Sequence, residues 1–236
     1  RKPIYKYVCD KYLVKEYVEK LIGEKYVPKM INVWSNVNDI DFNSLPNKFV
    51  LKGTHGSSFN IVVLDKKEID FKECKIEMNN WLKIDYFKKG REWCYKGLER
   101  RIICEEILLT DEGKLPNDYK FFCFNGRPLY IQIDVDRFNN HKRIFYDVEW
   151  NKQDFSLEYQ LYKGDIDKPK YFDKMVEIAK TLSTGMFFCR VDLYVLPEIK
   201  FGEITFYPGN GQEVFDPLIW DENFGEMINL KSLNLS

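Results

Sequence analysis

Apolar residues recur at helical spacing over residues 4–22, at Tyr5, Val8, Tyr12, Val14, Val18 and Leu21 or Ile22, and Gly23 follows as a stop. The pattern predicts one amphipathic helix. A short apolar piece at 30–34 predicts a strand, and Asn-, Asp- and Ser-rich text carries the chain to Pro46. Residues 48–52 and 61–64 are apolar and flank a turn holding Gly53, Gly56, Ser57 and Ser58, which predicts a hairpin. Residues 67–101 are charged and rich in aromatics around Trp81, Tyr86, Phe87, Trp93 and Tyr95, and are expected to form short helices joined at Gly90 and Gly97. The compact apolar run at 101–109, interrupted by Glu105 and Glu106, predicts a buried strand that leads into a hinge.

Downstream, residues 119–124 and 129–135 flank Asn125-Gly126, a strong hairpin signal, and residues 143–148 extend the same antiparallel sheet. Phe172, Met175, Val176, Ile178, Ala179 and Leu182 follow helical spacing. Residues 186–195 and 200–206 then form a second hairpin, before a loop-rich tail and a final short helix. The fold class is α+β.

Composition narrows this picture. The chain has 236 residues, 44% hydrophobic and 31% charged, enough for one large domain or two small lobes with real cores. Lys and Arg number 36 against 37 Asp and Glu, a net charge of −1, so neither nucleic acid nor an anionic membrane is an expected partner. An anionic ligand must be held by a local cluster. No apolar run approaches spanning length, and membrane insertion is not expected. The six cysteines stand singly without a CxxC pair, which favours buried thiols in a reducing cytoplasm over disulfides or zinc.

Four constellations carry candidate chemistry. Lys52 ends a strand at a loop whose glycines let backbone N–H groups close on an anion, and Lys11 is a possible second lysine for one triphosphate; an ordinary hairpin with an exposed lysine is the plain alternative. Glu105, Glu106, Ile107 and Leu108 end a buried strand where a purine edge could find backbone donors and acceptors. Strand alternation puts Arg190 and Asp192 on one face, and Glu203 in the opposing strand comes level with Asp192. Two such carboxylates repel unless a cation lies between them, and Mg²⁺ prefers such oxygens together with phosphate. A structural salt bridge is the alternative. Finally, Lys120 lies one same-face step from Asp118, with Asp134, Asp136 and Arg137 across the hairpin. Asp134-Val135-Asp136 also reads as the DxD pair by which glycosyltransferases hold a metal and a sugar nucleotide.

The order of these pieces resembles an ATP-grasp enzyme, and the wording is similar to the teichuronopeptide-biosynthesis (TupA-like) branch. The text that carries the resemblance is residues 10–18 (DKYLVKEYV), 49–57 (FVLKGTHGS), 105–108 (EEIL), 118–122 (DYKFF), 190–194 (RVDLY) and 201–209 (FGEITFYPG). The resemblance implies an ATP-grasp fold, in which two lobes with antiparallel sheets clamp ATP·Mg²⁺. It further implies a helical and linking segment at 1–46, a small lid lobe at 47–109 and a large lobe at 110–236. Relatives carry more sequence before the Asp-Lys segment, so the chain is expected either to be a fragment or to lack a complete N-terminal pre-ATP-grasp domain.

Carried over residue by residue, Lys11 and Lys52 resemble the phosphate lysines and Gly53, Thr54, His55, Gly56, Ser57 and Ser58 a mobile flap. Residues 105–108 resemble the adenine hinge. Arg190 is similar to the arginine that stabilises phosphoryl transfer, and Asp192 and Glu203 to the metal carboxylates. The family's Glu-x-Asn is here Glu203-Ile204-Thr205, leaving Thr205 or Asn210 as the third ligand. Lys120 and Arg137 are expected to face a substrate carboxylate. The implied activity is a cytoplasmic, ATP-dependent carboxylate–amine ligase. Its partners would be a small-molecule amine and a saccharide or other carboxylate acceptor, such as a uronic acid of a capsular polysaccharide. The rival readings are a glycosyltransferase built on Asp134 and Asp136, and a binding module without catalysis.

Overall fold

The computed structural model describes residues 2–136 and 139–231. The chain divides into two compact units, Arg1–Gly113 and Lys114–Ser236.

In the first unit, residues 4–22 are not one helix. Pro3–Cys9 (α1) and Leu13–Ile22 (α2) are separated because the Asp10 carboxylate accepts the N–H groups of Tyr12 (2.8 Å) and Leu13 (3.2 Å). An aspartate that satisfies the free donors of a new first turn starts a helix wherever the apolar spacing runs through it. Four antiparallel strands follow: Met30–Trp34 (β1), Phe49–Gly53 (β2), Asn60–Val63 (β3) and Ile102–Glu105 (β4), in the order β1-β4-β2-β3. The segment before residue 47 is thus hydrogen-bonded into the same sheet as the lysine-bearing hairpin. Phe71–Lys83 (α3), capped by Asp70, and the single turn Phe87–Gly90 (α4) fill the interval before β4. A 3-10 turn at Trp93–Tyr95 stands where a third short helix was expected.

The second unit is built on a six-stranded sheet. Asp118–Phe124 (β5), Arg127–Val135 (β6) and Lys142–Asp147 (β7) form a meander. Asn125 (φ 51°) and Gly126 (φ 76°) both occupy the left-handed region that a two-residue hairpin turn needs. Ser156–Leu157 (β8) and Gln160–Leu161 (β9) are two-residue strands, too short to show a period in the sequence, and β9 runs parallel to β7. After helix Phe172–Ser183 (α5), strands Phe188–Val195 (β10) and Ile199–Thr205 (β11) complete the order β11-β10-β5-β6-β7-β9. Phe215–Asp216 (β12) pairs with β8, and Ile219–Glu226 (α6) closes the unit.

Strand alternation gives this sheet two different faces. One packs under α5, where Phe121 stacks on Phe172 at 6.2 Å and Cys123 Sγ lies 4.0 Å from Ala179 O. The other is split. At one end Phe122, Phe124, Phe145, Phe155, Leu157, Phe215 and Phe224 form an aromatic cluster under α6. At the other end the register sets Lys120 beside Gln132 and Asp192, and Asp134 beside Arg143.

These charges are buried, so each needs a partner. Lys120 Nζ lies 2.6 Å from Asp118 and 2.8 Å from Asp134, and Arg143 Nε binds the other Asp134 oxygen at 2.8 Å. Gln132 Nε2 donates to that same oxygen, and His141 Nε2 lies 3.0 Å from it. All six cysteines are free and buried. No helix among the described residues is long and apolar enough to cross a membrane.

Two predictions follow from this packing. Phe224 lies within 6 Å of the rings of Phe122, Phe124, Tyr130, Phe155 and Phe215, so Phe224→Ala should destabilise the second unit by about 3–5 kcal/mol in urea titrations. The exposed neighbour Leu218→Ala should move it by less than about 0.5 kcal/mol. Burial opposes the charge on Asp134, but Lys120, Arg143 and His141 outweigh it and hold the carboxyl below its ordinary pKa. The stability this contributes is present in full above the unfolded carboxyl pKa of about 3.9 and is lost as pH falls through the folded value. Asp134→Asn should therefore cost about 3–5 kcal/mol at pH 7, with the gap to wild type constant down to about pH 5 and narrowing below about pH 4.

Candidate functional site

The first unit gathers its charged groups on Glu105, the last residue of β4. Lys52, register partner of Asn60 near the end of β2, places Nζ 2.6 Å from Glu105 Oε2. Lys15, from α2, places its Nζ 2.7 Å from Oε1 and donates to Pro28 O at 2.8 Å. Burial works against the Glu105 charge, but the two lysines outweigh it and hold the pKa below the usual carboxylate range. Lys15 is almost wholly covered, whereas the Lys52 side chain is 30% exposed. The lysine that stands beside Lys52 is thus Lys15, which the sequence reading passed over. Its signal was there: Lys15 shares a helical row with Val18 and Ile22, so it lies on the buried stripe.

Lys11 is placed elsewhere. Its Nζ donates to Gly56 O at 2.9 Å, and its backbone N–H to Thr54 O at 3.1 Å. The loop at 53–58 is tied at its base. Gly53 N–H donates to Phe59 O and Thr54 N–H to Arg101 O, and the Thr54 hydroxyl donates to Glu99 O. His55 is buried, with Nε2 at 2.9 Å from Trp81 O and its ring 5.3 Å from Phe59; burial depresses its pKa and favours the neutral form. A Cβ on Gly56 would come within 2.7 Å of both Tyr86 and Phe59, so glycine is needed here for the close approach of rings. Only Ser57 and Ser58, with Ser58 at φ 63°, form an exposed tip.

Beyond Glu105, the Glu106 N–H donates to Lys29 O and its side chain accepts from Lys29 N–H, both at 2.9 Å. Ile107 and Leu108 follow, half-buried and outside regular structure.

In the second unit Asp192 lies opposite Glu203 on one side and Lys120 on the other. Arg190, two residues along the same strand, donates Nε to Asp192 Oδ1 and Nη2 to Oδ2, each at 2.7 Å, and Nη2 also reaches Glu203 Oε1 at 3.3 Å. The Thr205 hydroxyl donates to Glu203 Oε1 at 3.1 Å. Burial, aided by repulsion from Glu203, outweighs Arg190 and Lys120 and pushes the Asp192 carboxyl up to about 6. Burial also opposes the Arg190 charge, but Asp192 and Glu203 outweigh it and raise that pKa above its ordinary value. Glu213, another residue outside the sequence reading, accepts from Arg143 Nη1 at 2.8 Å. Arg137 lies outside the described residues. Asn210 sits at φ 57° in the turn Pro208–Gly211 after β11.

The donor set of Asp192, Glu203 and Thr205 suits Mg²⁺, which binds through one or two carboxylates completed by phosphate oxygens and water. No cluster of three or more Asp, Glu, His or Cys side chains that could hold a metal by itself occurs among the described residues. Charge agrees with a cation. Among the described residues, Lys120 and Arg143 pair with Asp118, Asp134 and Glu213, and Arg190 pairs with Asp192 and Glu203, so each of the two neighbouring groups holds one more carboxylate than Lys or Arg. The two acids of the Asp-x-Asp motif are engaged separately. Asp134 is held by Lys120, Arg143 and Gln132, whereas Asp136 (φ 50°) accepts from Asn139 Nδ2 and Asn140 N–H.

Comparison with known proteins identifies the fold. D-alanine–D-alanine ligase from Bacillus anthracis, complexed with ATP, superposes with a TM-score of 0.52 at 13% identity, over 94% of this chain and 63% of the ligase. The ADP complex of PurK, N5-carboxyaminoimidazole ribonucleotide synthetase, gives 0.53 at 13% identity, over 84% of this chain and 45% of that one. The chain thus spans less than two thirds of the length of either. At such identities the likeness shows the fold. No curated protein matches the sequence. Residues 1–229 match the family described as TupA-like ATPgrasp, and the chain belongs to the TupA-like ATP-grasp family.

Proposed function

We propose that this chain carries an ATP-dependent carboxylate–amine ligase. The observation that bears most weight is Arg190 spanning Asp192 and Glu203, with Lys120 directly across the sheet from Asp192. This is a buried alternation of cations and carboxylates suited to a phosphoryl group in transfer.

In the reaction, an oxygen of the substrate carboxylate attacks the γ-phosphorus of ATP and ADP leaves, giving an acyl phosphate. A neutral amine then attacks the acyl carbon, phosphate departs, and the nitrogen loses a proton to give the amide. Arg190 offsets charge on the equatorial phosphoryl oxygens. Lys52, the more exposed of the two lysines on Glu105, reaches the polyphosphate while Lys15 stays paired with Glu105, and the exposed tip at Ser57 and Ser58 offers the polyphosphate backbone N–H groups. Residues 105–108 border the adenine, with Ile107 and Leu108 presenting backbone groups because Glu106 is engaged by Lys29. Lys120 faces the acceptor carboxylate. Asp192 and Glu203, with the Thr205 hydroxyl beside them, would hold Mg²⁺, which would supply charge neutralisation to the phosphate oxygens. The family resemblance favours a saccharide acceptor, such as a uronic acid of a cell-surface polysaccharide, joined to an amine or amino acid. The separate engagement of Asp134 and Asp136 favours this reading over a glycosyltransferase.

Calorimetric titration with ATP·Mg²⁺ and, in parallel, with UDP- and GDP-sugars tests the assignment. ATP should bind, Lys52→Ala should weaken it about tenfold or more, and the sugar nucleotides should give no heat. Absence of ATP binding, or affinity unchanged in Lys52→Ala, would overturn it. With an amine and a carboxylate that support turnover, Asp192→Asn should lower Mg²⁺-dependent ADP release by at least about a hundredfold. Undiminished release would remove Asp192 from the site.

A further inference from the structure

Lys11 lies in the break between α1 and α2 and is fixed from both sides. On one side Asp10 caps α2 through Oδ1 and lies 3.4 Å from Arg101 Nη1 through Oδ2. Arg101 in turn exchanges backbone hydrogen bonds with Thr54: its carbonyl accepts from Thr54 N–H at 3.0 Å, and its N–H donates to Thr54 Oγ1 at 3.3 Å. On the other side Lys11 grips the loop twice, by backbone N–H to Thr54 O and by Nζ to Gly56 O. Gly56 O is the last acceptor before the exposed tip.

The loop therefore has two parts of unequal stability. Thr54 and His55 are buried and bonded to Arg101, Glu99 and Trp81, while Ser57 and Ser58 are exposed. The Lys11 ammonium acts at the boundary. Moving it to a phosphate would leave the buried Gly56 carbonyl without this donor, a cost that a lysine on a solvated surface would not meet.

We propose that Lys11 is a positioning residue: it latches Gly56 so that the Ser57–Ser58 tip is held in the shape that presents its backbone N–H groups to an anion. The anion is the polyphosphate of a nucleotide, and this half of the inference rests on the ATP reading given above. Direct contact with the ligand is left to Lys52, whose side chain is 30% exposed.

Gln and Met are nearly the same size, and only Gln retains N–H donors, so Lys11→Gln and Lys11→Met separate the hydrogen bond from simple loss of the side chain. The first measurement uses nucleotide-free protein. Amide hydrogen exchange over residues 53–58 should rise about tenfold in Lys11→Met and less in Lys11→Gln, with exchange in α5 of the second unit unchanged. The second is titration with ADP·Mg²⁺, whose affinity should fall in the same order, Met more than Gln.

Unchanged loop exchange in both variants overturns the latch. Equal loss of ADP affinity in both, with loop exchange raised in neither, shows instead that Lys11 meets the ligand by charge. If wild-type protein exchanges as expected against Lys11→Met but binds no nucleotide, the ATP reading falls and the latch stands. Should Lys11→Met not fold, Lys11→Ala, which also lacks a donor, takes its place, a rise in loop exchange over wild type supporting the latch and no change overturning it.

Discussion

A charge removed from water must meet an opposite charge or a set of dipoles, and this requirement organises both halves of the chain. In the first unit it is met by Glu105, whose two oxygens pair with Lys15 on the buried face of α2 and with Lys52 at the strand end. In the second unit it is met by a network running from Glu203 through Arg190 to Asp192, and, across the sheet from Asp192, from Asp118 through Lys120, Asp134 and Arg143 to Glu213. Each cation holds its neighbours in place, so the geometry is fixed before any ligand arrives. Such preorganisation is what a site for a highly charged ligand needs, because side chains already oriented pay little to reorganise.

The aromatic end of the second sheet serves the charged end. Phe122 and Lys120 are neighbours on one face of β5, yet one packs beneath α6 and the other joins the carboxylates. Burying the phenylalanines holds β5, β6 and β7 in register, and register alone decides that Lys120 meets Asp192. A slip of one residue would send the whole set to the α5 face.

Much of this was legible in the chain. Apolar runs bounded by turn signals located the main strands of both sheets, Asn125-Gly126 announced its hairpin, and same-face spacing brought Arg190, Asp192 and Glu203 together as expected. What escaped was of two kinds. Elements of two residues, such as β8, β9 and β12, have no period to read. Long-range ion pairs also leave no local trace: nothing near Lys15 in sequence points to Glu105, and nothing near Glu213 points to Arg143. Asp10 shows a third cause, since a cap and a surface acid look alike until the backbone turns. The loop at 53–58 was expected to be a mobile flap, but its inner half is tied by Lys11, Arg101, Glu99 and Trp81, interactions that sequence spacing does not report.

The fit at residue 56 extends beyond this one molecule. Gly56 is pressed against Phe59 and Tyr86, and these two rings meet edge to face at 5.7 Å. A larger residue at 56 becomes admissible only where one of those rings has shrunk, and a smaller ring at 59 or 86 leaves a hollow that a larger residue at 56 could fill. The three positions are therefore one unit of inheritance: in related chains that keep this loop they should vary jointly, and a sequence that changes one alone has bent the loop away from the shape seen here.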